Sequence, residues 1–272
     1  MSIERQTLSV KEQAFIVDAY WLTPIPDFEH PVKHPVMIIC PGGGFTYHSG
    51  RETTPVALRF LAEGFHVIVL PYQLISSNET VYPLALHQLA KTIEWVTDQA
   101  GEYDIDLDRI VLTGFSAGGH VVATYNGIAT DPIHRADYGL DDYRGHHAAI
   151  VLNYPVIDFD AGFPIDDATK QQITVDQTLW HAQKNITAAA KPAFIWQTAT
   201  DALVPATNSL LYTLALQQHK IPVEYHLFGA GVHGLSLANH VTQTPGKPEY
   251  ANTVAAQWVP LVLDWFKLMA IL

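Results

Sequence analysis

Apolar residues along the chain gather in short continuous runs, separated by longer stretches with helical spacing. The runs 36–40, 66–70 and 109–112 each stop at or just before proline or glycine. Runs this short, apolar at nearly every position, predict strands covered on both faces. Segments 148–152, 193–196 and 223–228 extend the set, and an alternating segment, 14–22, predicts a strand ahead of them. Between these runs, 54–63 has helical spacing, with Pro55 in its first turn and Gly64 as its stop. Leu84, Leu86, Leu89, Ile93 and Val96 share one face of a helix over 83–99. Further helices are predicted over 117–128, 209–219 and 254–268.

Alternating strand and helix predicts an α/β fold: a mostly parallel central sheet with helices on both faces. Two polar segments, 129–147 and 158–191, fit the alternation poorly and are expected on the side where the strands end. The second reads as a small cap-like insertion. No repeat, low-complexity tract or linker divides the chain, so 1–272 is expected to form a single domain.

Composition narrows the partners. Of 272 residues, 48% are hydrophobic and 15% charged, which implies a large core and a surface partly covered by a pocket lid or by a second copy in a homo-oligomer. The formal net charge is −12 with no run of Lys or Arg, which argues against nucleic acid or an anionic membrane as partner. The 14 histidines are scattered. His134, His146 and His147 have no ligand-like spacing and read as solvated loop residues, so neither metal nor cofactor is expected. The lone Cys40 ends an apolar run and reads as a buried, inert thiol. The segment MSIERQTLSV lacks the apolar stretch of a signal peptide, and no run reaches membrane-spanning length, so a cytoplasmic protein is expected.

The chemistry centres on Gly114-Phe115-Ser116-Ala117-Gly118. Gly-x-Ser-x-Gly between a strand and a helix is the setting of a nucleophile elbow, a tight turn that lifts the serine hydroxyl off the sheet edge. A glycine-rich turn whose serine merely caps the helix has the same local sequence. A nucleophilic serine needs a base, oriented by an acid. Asp201 and His233 each follow a later predicted strand, in the order serine, acid, histidine that this geometry requires. Asp158 and Asp160 are alternatives for the acid, and His226 and His240 for the base. Gly42-Gly43-Gly44 follows the first buried strand without the spacing of a phosphate loop. Its Gly43 and Gly44 N–H groups, with that of Ala117, form a candidate oxyanion hole.

With these parts in order, the chain resembles the α/β-hydrolase superfamily, in its acetyl-xylan esterase and feruloyl-esterase-like branch. The resemblance rests on residues 41–45 (PGGGF), 108–120 (DRIVLTGFSAGGH), 153–158 (NYPVID), 200–205 (TDALVP) and 231–234 (GVHG). It implies Ser116 as nucleophile, His233 as base and Asp201 as the orienting acid. Pro41 stands where related lipase-like esterases carry histidine, and His87 where an aspartate is common. The implied activity is hydrolysis of short acyl esters, acetyl esters of carbohydrates or small alcohols first among them. Phe45, Tyr72 and Tyr154 are expected to shorten the acyl pocket or stack on a sugar. A base that must be neutral predicts activity lost on acidification through about pH 6–7. An amidase or formamidase would use the same triad, and a non-enzymatic binding protein on the same fold is the alternative of another class.

Overall fold

In the computed structural model, which describes residues 1–27, 32–76 and 79–272, the apolar runs become strands of one eight-stranded sheet. In chain order these are β1 (Ser2–Val10), β2 (Gln13–Trp21), β3 (His34–Cys40), β4 (His66–Val69), β5 (Ile105–Phe115), β6 (Ala149–Asn153), β7 (Ala193–Thr198) and β8 (Val223–Phe228). Across the sheet they run β1-β2-β4-β3-β5-β6-β7-β8. β1 pairs antiparallel with β2, and β2 with β4; every other pair is parallel.

Both faces of the central parallel strands are covered, which is why β3, β4 and β6 and the second half of β5 are almost continuously apolar. Val36, Ile38 and Cys40 of β3 join the core beneath α2 (Leu84–Asp98), α3 (Ala117–Ile128) and α6 (Thr207–Gln218). Met37 and Ile39 face the other way, into the core under α1 (Thr54–Leu61) and α7 (Trp258–Leu268). The first strand was not among the predicted elements. It lies at the sheet edge, where only Leu8 and Val10 are buried and Ile3 is exposed, so its pattern is mostly polar.

The order of the strands fixes where a site can form. From β3 the chain moves to β4 on one side, then crosses to β5 on the other. The carboxyl ends of β3 and β5 therefore bound a topological switch point, a crevice left open by connections that leave in opposite directions. Two segments depart from expectation. Segment 129–147, with α4 (Pro132–Asp137), joins the end of α3 to the start of β6 and so lies at the opposite edge of the sheet from the crevice. Segment 158–191, with α5 (Asp167–Ile173), is mostly half-buried or exposed, but sends Ile173, Leu179, Trp180, Ala182 and Ile186 into the same cluster as α2 and α3. Among the described residues, no helix is long and apolar enough to cross a membrane.

Candidate active site

Ser116 sits between β5 and α3 with φ 51° and ψ −116°, a left-handed conformation that is costly for a residue with a side chain. It persists because the surroundings leave no alternative. The Ser116 N–H donates to the Asn153 carbonyl at 3.0 Å, and the Ser116 carbonyl accepts from Val156 N–H at 3.0 Å. Asn153 braces the same region: its Nδ2 donates to Gly114 O, and its Oδ1 accepts from Trp196 Nε1 at 2.7 Å. The side chain of one β6 residue thus ties β5 to β7 below the turn.

The flanking glycines are required by space. A Cβ on Gly118 would stand 2.1 Å from Cys40 O, and one on Gly114 would stand 2.4 Å from Gly118 O. Gly119 lets α3 press against Pro155, whose Cβ would lie 2.6 Å from its own. Gly118→Ala is expected to destabilise the fold by about 3 kcal/mol or more, because the obstructing atoms are backbone that cannot swing aside. Thermal unfolding should register a fall of about 6–12 °C, against little change for Gly50→Ala, where a Cβ meets nothing within 4 Å.

The Ser116 hydroxyl, on a residue only 5% exposed, lies 2.8 Å from His233 Nε2. His233 Nδ1 lies 2.7 Å from Asp201 Oδ2. A carboxylate at neutral pH can only accept, so Nδ1 carries the proton and Nε2 is left as the acceptor for the serine. The second Asp201 oxygen accepts the N–H groups of Leu203 and Val204, each at 3.0 Å. The Asp201 side chain is fully buried and that of His233 is 14% exposed, so the pair is shielded while the imidazole keeps access to the crevice. Thr198 and Thr200 hydroxyls both donate to Gly231 O, holding the loop after β8 to the loop after β7.

The glycine loop after β3 lies directly against this turn, since a Cβ on Gly42 would stand 3.0 Å from Ser116 Cβ. Gly43 O accepts from Thr46 and Tyr47 N–H, which curls the loop on itself. Among the described residues, the N–H groups of Gly43, Gly44 and Ala117 donate to no protein acceptor. Glu52 is buried beneath the loop, with Oε2 accepting from Gly42 N–H at 2.7 Å and Oε1 from the Tyr154 hydroxyl at 2.7 Å. Burial pushes the Glu52 carboxyl above the usual carboxylate range, and the hydrogen bonds from Tyr154 and Gly42 pull against it.

The structure brings Ser116, His233, Asp201 and the Gly43–Gly44 loop together and places the alternatives elsewhere. Asp158 accepts from His181 Nδ1 at 2.9 Å, and Asp160 accepts from Lys170 Nζ at 2.7 Å. His226 faces Glu224 on its own strand, and His240 is exposed. His134, His146 and His147 point to different partners: Asp131, Asp108 and Asn126. His87, in the first turn of α2, meets the Tyr143 hydroxyl.

The expected substrate-binding rings need correction. Phe45, Tyr72 and Tyr154 are 0%, 1% and 2% exposed, closed off by neighbours in the core. Phe45 meets His120 and Phe159 edge-on, Tyr72 meets His48, and Tyr154 packs under His233 at 5.1 Å between centroids. Their aromatic character was visible in the sequence, but the neighbours that bury them come from distant segments. The half-buried ring nearest the oxyanion loop is Phe163, whose Cζ lies 3.5 Å from where a Cβ on Gly44 would stand. It belongs to the first turn of segment 158–191 and carried no signal beyond a lone aromatic in a polar stretch. Glu52 escaped notice for the same kind of reason.

Known proteins resemble the chain in sequence and fold. The BD-FAE family matches residues 26–216. Over 214 residues, 76% of this chain, the sequence is 29% identical to endo-1,4-beta-xylanase B of Butyrivibrio fibrisolvens, of which the match covers 33%. The chain spans between a third and about half of the length of the first curated relatives it matches. The crystal structure of the carboxylesterase Cest-2923 from Lactobacillus plantarum WCFS1 is similar with a TM-score of 0.99 and 57% identity, covering 100% of this chain and 99% of that one. An acetyl ester-xyloside bifunctional hydrolase from Caldicellulosiruptor lactoaceticus is similar with a TM-score of 0.75 and 27% identity, covering 94% of this chain and 89% of that one.

Proposed function

The chain belongs to the BD-FAE family of the α/β-hydrolase fold, and from that premise we propose that it is a serine carboxylesterase acting on short-chain acyl esters, acetyl esters of carbohydrates or other small alcohols above all. The observation that carries the reading is the unbroken pair of hydrogen bonds from Ser116 through His233 to Asp201, beside three N–H groups that have no acceptor among the described residues. Ser116 Oγ attacks the ester carbonyl while His233 Nε2 takes its proton. The carbonyl oxygen becomes an oxyanion and accepts from the N–H groups of Gly43, Gly44 and Ala117. Collapse of this intermediate breaks the bond to the alcohol, which leaves with the proton returned by His233. Water then attacks the acyl-enzyme with His233 again as base, releasing the acid and regenerating the Ser116 hydroxyl. Asp201 holds the Nδ1–H tautomer throughout and stabilises the imidazolium that forms twice per turnover.

Preference for a small acyl group is supported by the Phe163 ring set close over Gly44. A carbohydrate alcohol is supported by Tyr47, a 62% exposed ring on the oxyanion loop on which a sugar face can stack. The acetyl ester-xyloside hydrolase among the similar structures points the same way. Acetyl, butyryl and octanoyl nitrophenyl esters, with an acetyl anilide beside them, test the proposal. The acetyl ester is expected to turn over fastest and the anilide slowest; a faster octanoyl ester or anilide would overturn the substrate class. Phe163→Ala is expected to raise the octanoyl-to-acetyl ratio of kcat/KM about tenfold or more, as removal of a pocket wall does.

A further inference from the structure

Segments far apart in sequence are linked through one buried carboxylate. Glu52, 2% exposed, takes the Gly42 N–H on one oxygen and the Tyr154 hydroxyl on the other. The Tyr154 oxygen, having given its proton to Glu52, accepts the Ser236 N–H at 2.9 Å. Ser236 lies in the loop that carries His233, and its own hydroxyl donates to Arg51 O at 2.6 Å. The Tyr154 ring also packs edge-on against the His233 imidazole. The Ser236 carbonyl in turn accepts from Trp258 Nε1 at 3.0 Å, anchoring the loop to α7.

Burying a carboxylate is costly unless its oxygens are satisfied, and here both are. Backbone strain marks the same residues. Phe45 next to the oxyanion glycines, Tyr154 and Ser236 all have positive φ, as Ser116 does. Conformations of this kind survive only where neighbours hold them, and for Ser236 and Tyr154 the link through Glu52 is one such hold.

We infer that Glu52 is a positioning residue for the hydrolytic site, a buried carboxyl group that locks the oxyanion loop to the His233 loop through Tyr154. This rests on the serine-esterase reading above and deepens it. The groups facing His233 are Asp201 from the loop after β7, Ser116 from the elbow, Tyr154 from the end of β6, and Glu52 with Arg51 from the turn before α1. The Arg51 guanidinium is turned toward Thr242 O and the Tyr250 ring, and passes within 3.4 Å of where a Cβ on Gly234 would stand.

Glu52→Gln keeps the shape and loses one acceptor oxygen, whereas Tyr154→Phe keeps the carboxyl group and the ring but cuts the link to Ser236. Both are assayed in the full chain on an acetyl nitrophenyl ester, with active sites counted by a fluorophosphonate label so that kcat refers to folded enzyme. Glu52→Gln is expected to lower kcat about a hundredfold, with KM changed less than about threefold, since small misplacement of reacting groups costs that much. Tyr154→Phe is expected to lower kcat about tenfold, again with KM little changed. A merely structural role would lower the melting temperature and the count of active sites while leaving kcat per site unchanged, and that result overturns the inference. If Glu52→Gln does not fold, Tyr154→Phe decides alone: full kcat per site overturns the link, and a fall at constant KM supports it. Ser116→Ala is run beside them. Loss of activity there with an unaltered Glu52→Gln refutes only this inference; retained activity in Ser116→Ala refutes the esterase reading on which it stands.

Discussion

Ser116→Ala is expected to lower kcat on an acetyl ester by about 10⁵- to 10⁶-fold, with the melting temperature nearly unchanged. The magnitude follows from what is lost. Without Oγ there is no acyl-enzyme, and the base has only water to activate. The glycine loop, the Ala117 N–H and the crevice remain, so hydrolysis should persist at a small residual rate above that in water. Stability should hardly move, because alanine and serine bear the same backbone strain at φ 51° and the hydroxyl makes one partly buried hydrogen bond. Single-turnover assays at high enzyme concentration measure the residual rate. A loss smaller than a hundredfold would mean that another group is the nucleophile.

Asp201→Asn should be the next most damaging change, lowering kcat about 10⁴-fold, or about 5 kcal/mol of transition-state stabilisation. Oδ1 must go on accepting from Leu203 and Val204 N–H, so the amide nitrogen is forced to face His233 Nδ1. A donor at that position turns Nδ1 into an acceptor and moves the proton to Nε2. The imidazole then meets Ser116 with a donor in place of an acceptor and cannot take its proton. Asp158→Asn, which disturbs the contacts to His181, Gln183 and the Asp160 N–H, should keep kcat within about threefold of the parent. If the two results are exchanged, the acid has been misassigned.

The parallel strands were legible because burial on both faces leaves a continuous apolar run, as in 36–40, and helices 83–99 and 117–128 because their spacing or flanking glycines mark them. β1 was not, since an edge strand with Ile3 exposed and Arg5, Gln6 and Thr7 in a row has no buried residue until Leu8. Ser116, Asp201 and His233 could be read from local context: each sits just beyond a strand, and chain order did the rest. Glu52 could not. It lies in a polar stretch, Ser49-Gly50-Arg51-Glu52-Thr53, and becomes buried only because Tyr154, 102 positions along, folds over it. The same logic misplaced the rings of Phe45, Tyr72 and Tyr154, whose type was evident and whose orientation depends on partners elsewhere. Phe163 shows the reverse case, an aromatic in a polar segment brought to the crevice by a single turn.

The lone thiol gains a use from its address. Cys40 is the last residue of β3, fully buried, and its thiol is held well above its usual ionisation range by that burial, so it is inert while the sheet is closed. It lies one residue before the oxyanion loop, with its carbonyl against Gly118. A thiol reagent can reach it only when the strand ends beneath the nucleophile part. The labelling rate of the native protein is therefore a clock for local opening at that point, readable without any introduced probe and comparable directly with the rate of global unfolding.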